Sequence, residues 1–256
     1  MPIFTPPDLE DFFPPVIWFE GTAFEINRLT LVRIVAALAL MLVMVCAAKK
    51  AKVVPGRFQG AIEWVLNFVR NSIVDDILGK EKGRQYFPLI ATIFLTVLAF
   101  NITGIVPFLD LPGTSTMGMP LVLALWAYVS YLWAGLREKG VKGFLKDSMF
   151  PPGVPKALYI LLAPLEGLQV FVIRPATLAI RLLANMIAGH LLIALCFVAT
   201  SYFLFDSSGP MQVLGAGTFV ASAAFFVFEA FVAVLQAYVF AILTASYISL
   251  AVEKEE

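Results

Sequence analysis

The sequence predicts an all-α polytopic membrane protein with about five membrane helices, the last two long and strongly tilted. Composition is the first reason, since 60% of the 256 residues are hydrophobic and 14% are charged, whereas soluble domains rarely exceed about half apolar residues. The second reason is that the apolar residues form runs long enough to cross a bilayer, which takes about 20 residues. The formal net charge is zero, so nucleic acid is not an expected partner.

The whole chain, residues 1–256, is interpreted as one membrane domain. Residues 1–28 are an acidic, proline-rich segment that lacks the basic start of a signal peptide and is expected outside the membrane. The first span covers about Leu29 to Ala48, and the basic loop KKAKVVPGR follows it. From Gly60 to Leu78, apolar residues recur with a helical period, which predicts an amphipathic helix at the membrane interface.

Two more spans are predicted in the middle of the chain. The second covers about Tyr86 to Leu109 and ends at the turn-forming stretch DLPGTSTMG. The third covers about Pro120 to Leu136. The stretch that follows it, REKGVKGFLKDSMFPPGVPK, is polar and rich in glycine and proline, and is therefore predicted to be a loop.

The chain ends with two apolar runs, Ala157 to Phe205 and Met211 to Val252, each about twice the length of a perpendicular crossing. Each run is either two short spans or one tilted helix. Lysine and arginine are abundant after the first and third spans but absent from the loops at Asp110 and Asp206. Because basic residues favour the inner side, this predicts one helix per run. Residues 157–252 are then a long tilted hairpin, with the N-terminus outside and the tail carrying Lys254 inside.

Arg181 lies in the middle of the apolar stretch RPATLAIRLLANMIAGHLL. A central arginine costs about 2.5–3.5 kcal/mol on insertion scales, and arginine keeps its proton in proteins. It therefore needs a carboxylate or a water-filled cavity. One interpretation is a structural ion pair with Glu166 or Glu229, and the other is a functional charge. Arg174 precedes Pro175, which is expected to interrupt the helix, and a structural or a cavity-lining role is left open for it.

Other polar residues fall on defined faces of the last two runs. At 100° per residue, one polar stripe on the final run contains Glu229, Gln236 and Tyr247. On the preceding run, Arg181 and Asn185 share a face, whereas His190 points to the opposite one. Two polar faces on one helix are expected for a wall between two aqueous paths.

Proton transfer is the chemistry that these side chains suggest. His190 can titrate near neutral pH, although a packing role remains the alternative, and a haem or metal site is disfavoured because there is no second histidine. Glu229 can relay protons where water reaches it, and Glu166 is either a relay or a residue near the interface. Asn101 forms a glycosylation sequon inside a span, so it is expected instead to bond to a neighbouring helix or to line a cavity.

Three stretches resemble subunit a of the bacterial F-type (rotary) ATP synthase. RPATLAIRLLANMIAGHLL resembles the family signature R-L-x-x-N-M-x-A-G-H/E, and FEAFVAVLQAYVFAILTASYISLA resembles the last helix. FNITGIVPFLDLPGTSTMGMPLVLAL resembles the second-to-third helix region. The likeness extends over most of the chain from about Arg57. Many members of the family carry an acidic or second polar residue near Gly104, which this chain lacks.

The resemblance implies a proton-conducting stator subunit with two aqueous half-channels, whose last two helices are strongly inclined along a rotating c-ring. Arg181 matches the essential arginine that faces the ring carboxylates, Asn185 matches the asparagine beside it, and Gln236 matches the glutamine that faces the arginine. His190 and Glu229 match the interacting pair of the outer half-channel, and Glu166 matches a glutamate upstream of the signature.

The implied partners are the c-ring proteolipids, the subunit b peripheral stalk, the remainder of the F1Fo complex and the lipid bilayer. The implied location is the bacterial plasma (inner) membrane, with the mitochondrial inner membrane as the alternative. No phosphate-binding loop is found, so the chain is expected to translocate H⁺ without binding or hydrolysing ATP. No cofactor is expected, and Na⁺ is not excluded as the transported ion.

Two other functions would also place an arginine or a histidine inside the membrane. A cation-coupled secondary transporter would use Arg181 to bind an anionic substrate, but it predicts paired broken helices and internal repeats, and the sequence has neither. A structural subunit of a membrane redox complex would use His190 to ligate a cofactor.

Overall fold

A computed structural model describes residues 14–18, 21, 25–106, 109, 111–149, 159–207, 209 and 211–252. Within these ranges, five helices are long and apolar enough to cross a membrane, which confirms the polytopic helical fold. The expectations for residues 1–13 and for the tail at Lys254 lie outside the described part of the chain. A short antiparallel hairpin, β1 (Val16–Trp18) with β2 (Ile26–Asn27), precedes the first helix and was not predicted.

Helix α1 (Arg28–Lys49) agrees with the predicted first span to within one residue at each end. Its start is set by Asn27, whose Oδ1 accepts hydrogen bonds from the Thr30 backbone N–H at 2.8 Å and from the Thr30 hydroxyl at 2.9 Å. This is the N-cap arrangement that satisfies a backbone donor in the first helical turn. Lys49 in the last turn interacts favourably with the helix dipole.

The predicted amphipathic helix is present, with a start three residues earlier than expected. It comprises α2 (Arg57–Val69), a π-helical turn (Arg70–Val74) and the beginning of α3 (Asp75–Ile102). Gly79, with a φ of 71°, breaks the helical conformation immediately after this segment, as glycine can do without steric cost. The position of the segment at the membrane interface remains a prediction.

The end of the second span was predicted seven residues too late, because α3 ends at Ile102 rather than Leu109. The Thr103 hydroxyl donates to the Phe100 carbonyl at 2.7 Å and to the Leu111 carbonyl at 3.0 Å. These bonds turn the chain back onto the end of the helix. The apolar residues Ile105 and Val106 therefore belong to a turn rather than to a continued helix.

Helix α4 (Gly118–Met149) contains the third span and a second, shorter helical segment. Gly140, with a φ of 70°, separates the two. The prediction of a loop after Leu136 was therefore wrong for residues 141–149. The cause is tertiary: Phe144 is buried and lies against Gly135, where a Cβ atom would collide with its ring. Burial of this one aromatic side chain explains the helical segment in an otherwise polar stretch.

The two long C-terminal runs are each a single helical element, as predicted. The first comprises α5 (Tyr159–Leu168), a π-helical turn (Gln169–Ile173), α6 (Arg174–Ser201) and a π-helical turn (Tyr202–Asp206). The second is α7 (Met211–Val252) with 42 residues, which is about 63 Å at 1.5 Å per residue. A helix of that length exceeds the hydrocarbon layer of about 30 Å, so the strong tilt remains the expectation.

The interruption predicted at Pro175 is a local widening rather than a break. Arg174 donates its backbone N–H to the Gln169 carbonyl, five residues back, in the π-helical turn. Proline has no N–H and its ring crowds the preceding turn, and the wider turn lies directly before it. The helix axis therefore continues from α5 into α6.

The chain packs as two compact units, and the boundary between them falls inside α1, α3, α6 and α7. The first unit contains residues 1–44, 96–116 and 182–236, and the second contains residues 45–95, 117–181 and 237–256. Asn185, His190, Glu229, Gln236 and Asn101 belong to the first unit. Arg181, Arg174, Glu166 and Tyr247 belong to the second.

Candidate functional site

Asn185 and Gln236 join α6 to α7 within the first unit. The Asn185 Nδ2 donates to the Gln236 Oε1 at 2.7 Å, and Gln236 is only 3% exposed. A buried amide without a partner would cost about 1–3 kcal/mol, so this bond makes the burial of Gln236 tolerable. The sequence predicted both residues as site residues, and the structure brings them into direct contact.

Glu229 lies seven residues before Gln236 on α7 and is also 3% exposed. Its carboxylate approaches the backbone of α6 at Gly189, where an added Cβ atom would be 3.3 Å from the Glu229 Oε1. A side chain at position 189 would therefore crowd the carboxylate. Sequence reasoning missed this role of Gly189, although its place directly before His190 was a usable signal, since small residues allow close approach of membrane helices.

His190 lines a cavity of about 430 Å³ in the first unit. Residues 104–106 after α3, four residues of α6 that follow His190, and Phe226 of α7 complete the lining. Among these lining residues His190 carries the one titratable side chain. The volume accommodates several water molecules, at about 30 Å³ each. Near Gly104, where the sequence lacks a polar side chain, only backbone groups and apolar side chains line the cavity.

Asn101 is 1% exposed and uses both ends of its carboxamide. Its Nδ2 donates to the Ala233 carbonyl of α7 at 3.3 Å, and its Oδ1 accepts from the Thr114 hydroxyl at 2.9 Å. The expectation that Asn101 bonds to a neighbouring helix is therefore confirmed. The contribution of Thr114 was not predicted.

A cluster of three hydroxyl groups between α6 and α7 was also not predicted from the sequence. The Thr200 hydroxyl donates to the Thr218 hydroxyl at 3.0 Å and lies 3.5 Å from the Ser222 hydroxyl. Ser222 precedes Glu229 by seven residues, so the polar stripe of α7 extends further than Glu229, Gln236 and Tyr247. That spacing was the signal that could have identified it.

Arg174 occupies an aromatic setting in the second unit. Its Nη1 donates to the Tyr131 hydroxyl at 3.3 Å, and its guanidinium lies 5.8 Å from the ring centroid of Tyr131 and 5.2 Å from that of Tyr247. Both distances fall within the range of cation–π attraction. Of the two roles left open for Arg174, this geometry favours the structural one, and Tyr247 is part of it.

Arg181, in the same unit, has different surroundings from Arg174. Its side chain is exposed, and no hydrogen bond or ion pair joins it to any residue in the described part of the chain. Glu166 on α5 is half-buried and does not pair with it. The structural ion pair considered for Arg181 is therefore not formed among the residues that the structure describes.

Comparison with known proteins identifies the family. The model of the family described as ATP synthase A chain matches residues 29–249. The chain belongs to this family. A relative named ATP synthase subunit a from Rhodococcus erythropolis is 44% identical over 253 residues, covering 99% of this chain and 92% of the relative. A relative of the same name from Nocardioides sp. is 38% identical, and the match covers 98% of this chain and 94% of the relative. Another from Pseudarthrobacter chlorophenolicus is 34% identical, and the match covers 96% of this chain and 92% of the relative.

Family membership and the five membrane-spanning helices together establish the general role. The chain is a proton-conducting subunit of the membrane sector of the F-type ATP synthase and acts as part of that complex. It is a multi-pass protein of the plasma membrane.

Proposed function

We propose that Arg181 is the residue through which this subunit acts on the carboxylates of a rotating ring of proteolipid subunits. The observation that carries the proposal is an exposed guanidinium without an ion pair or hydrogen bond in the described part of the chain. Such a charge is costly in an apolar layer and cannot be removed by deprotonation. A carboxylate supplied by another subunit would offset that cost.

Protons reach the ring from outside through the cavity beside His190. Water in this cavity delivers a proton to the imidazole, which is the titratable group in its lining. Glu229, which lies against the residue preceding His190, receives the proton and passes it toward the ring. Asn101 holds α7 one turn beyond Glu229, and the Asn185–Gln236 bond holds α6 and α7 together one turn after Arg181.

The ring turns because protonation changes where its carboxylate is stable. A protonated, neutral carboxyl group can enter the lipid, whereas moving a charged carboxylate there costs much more free energy. Arg181 favours the charged form at the stator and repels protons, so it prevents direct flow between the two half-channels. A potential of 100 mV supplies about 2.3 kcal/mol per proton, so several protons are needed for each ATP made elsewhere in the complex.

The remaining features of the proposal concern topology and partners. The N-terminus is outside and the C-terminus is in the cytoplasm, with α7 strongly tilted along the ring. The peripheral stalk subunit b holds the chain in place, H⁺ is the coupling ion, and Glu166 belongs to the inner half-channel. Tyr247 supports the inner region by packing on Arg174.

The decisive variant is Arg181→Ala in inverted membrane vesicles that contain the assembled complex. ATP-driven proton pumping, followed by quenching of a pH-sensitive dye, is expected to be lost, because the ring carboxylate then has no charged partner. Arg137→Ala removes an arginine that stacks on Trp133 and serves as the matched control, which should pump. Normal coupled pumping by Arg181→Ala, at equal amounts of complex, would refute the proposal.

A further inference from the structure

The loop that follows α3 contains a buried stretch that carries polar side chains. Residues 111–115 are all buried, including Thr114 and Ser115. Loops usually run over the surface because their backbone groups need hydrogen-bond partners. A buried loop must therefore be held by specific bonds, and here two neighbouring elements supply them.

Arg33 of α1 holds one side of this loop. Its Nε donates to the Gly113 carbonyl at 2.7 Å, and its Nη2 donates to the Thr116 hydroxyl. Two donors of one planar guanidinium thus fix two points of the loop, a geometry that a lysine cannot reproduce. On the other side, the Gly113 backbone N–H bonds to the Phe100 carbonyl at 3.0 Å. The loop is therefore fixed between α1 and the end of α3.

The Thr114 side chain joins this loop to Asn101, a residue of the proposed proton path. Its hydroxyl donates to the Asn101 Oδ1 at 2.9 Å. Because the carboxamide oxygen accepts this bond, the amide nitrogen must point the other way, where it donates to the Ala233 carbonyl at 3.3 Å. Ala233 lies four residues after Glu229, so this bond holds the helical turn that begins at Glu229.

We propose that Thr114 is a positioning residue for proton uptake. It sets the orientation of the Asn101 carboxamide, Asn101 fixes the Glu229 turn of α7, and Arg33 keeps the loop that carries Thr114 in place. Thr114 itself transfers no proton. The inference rests on the proposed function, because it assumes that Glu229 and Asn101 serve the outer path.

A variant of Thr103 distinguishes this positioning role from a general contribution to loop stability. Its hydroxyl bonds to the backbone of Phe100, Leu111 and Gly113, and to no site side chain among the described residues. Replacing Thr103 by valine should therefore lower the thermal stability of the complex without changing the pumping rate per assembled complex. Replacing Thr114 should change the rate itself.

The first experiment compares Thr114→Val, Thr114→Ser and Thr92→Val in inverted vesicles, with pumping rates divided by the amount of assembled complex. Loss of one buried hydrogen bond corresponds to about a threefold to tenfold effect, so Thr114→Val should slow pumping by that factor. Thr114→Ser keeps the hydroxyl and should restore the rate. Thr92 lies exposed on α3 and bonds only to the Pro88 carbonyl of its own helix, so Thr92→Val should pump normally.

A double-mutant cycle with Asn101→Ala then tests whether Thr114 acts through Asn101. Asn101→Ala alone should slow pumping, and adding Thr114→Val should have no further effect, because coupled residues are non-additive. If Thr114→Val fails to assemble, Thr114→Ala removes the same hydroxyl and supplies the same comparison. Independent, additive losses would overturn the proposal, as would wild-type pumping by either single variant. Wild-type pumping by Arg181→Ala would instead overturn the proposed function, so the two failures are distinguishable.

Discussion

Arg174 and Arg181 are two arginines on one membrane helix with opposite surroundings. They are seven residues apart, nearly two turns, so they leave α6 on about the same side. Arg174 is bonded to Tyr131 and lies over the rings of Tyr131 and Tyr247. Arg181 is exposed and unpaired within the described part of the chain. The cost of the first charge is offset inside the chain, whereas that of the second is not.

The difference supports the proposal that Arg181, rather than Arg174, acts on another subunit. Two cation–π contacts of about 0.5–2 kcal/mol each and a hydrogen bond recover much of the insertion cost of Arg174. Among the described residues nothing offsets the cost of Arg181 in this way, so the proposed function assigns its stabilisation to another chain. The half-buried, hydrogen-bonded Arg174 is therefore assigned to structure, and the exposed Arg181 to the proposed function.

The largest difference is expected between two residues of the α7 stripe, Glu229 and Tyr247. Glu229→Gln removes the group proposed to carry protons, so pumping should fall by at least about tenfold. Tyr247→Phe keeps the ring that contacts Arg174 and removes only the hydroxyl, so pumping should stay near the wild-type rate. Both rates are measured in inverted vesicles at matched amounts of complex. An unaffected rate for Glu229→Gln would remove Glu229 from the path.

A smaller effect is expected at Tyr131, the hydrogen-bond partner of Arg174. Tyr131→Phe leaves the aromatic ring in place and removes the hydroxyl that accepts from the Arg174 Nη1. The free energy of unfolding should fall by about 1 kcal/mol, seen as a lower thermal midpoint of the purified complex. The pumping rate per assembled complex should not change. A lower pumping rate with an unchanged thermal midpoint would contradict the structural assignment of Arg174.

Much of the architecture was predictable because it depends on local sequence. The apolar runs of α1 and α7 are long and uninterrupted, so their extent followed from hydrophobicity. The placement of lysine and arginine then predicted one helix in each long run. The Asn185–Gln236 pair could be anticipated because both residues are polar in apolar helices. These features need no knowledge of which elements meet in space.

The features that were missed depend on contacts between distant parts of the chain. The helical segment after Gly140 forms because Phe144 packs on Gly135, and no local pattern marks that contact. The buried loop carrying Thr114 is polar in sequence and depends on Arg33, 80 residues from Gly113. Gly189 matters only because Glu229 of another helix approaches it. Hydrophobic periodicity shows which face of a helix is buried, but not which element packs against that face.

The most direct test of the account exchanges each arginine for lysine, giving Arg181→Lys and Arg174→Lys in otherwise identical complexes. Lysine keeps a positive charge but loses the planar guanidinium, and it can be deprotonated in an apolar setting. The complex with Arg174→Lys should pump within about twofold of the wild-type rate, because cation–π contacts accept either cation. The complex with Arg181→Lys should lose coupled pumping. Wild-type pumping by Arg181→Lys together with loss of pumping by Arg174→Lys would contradict the account.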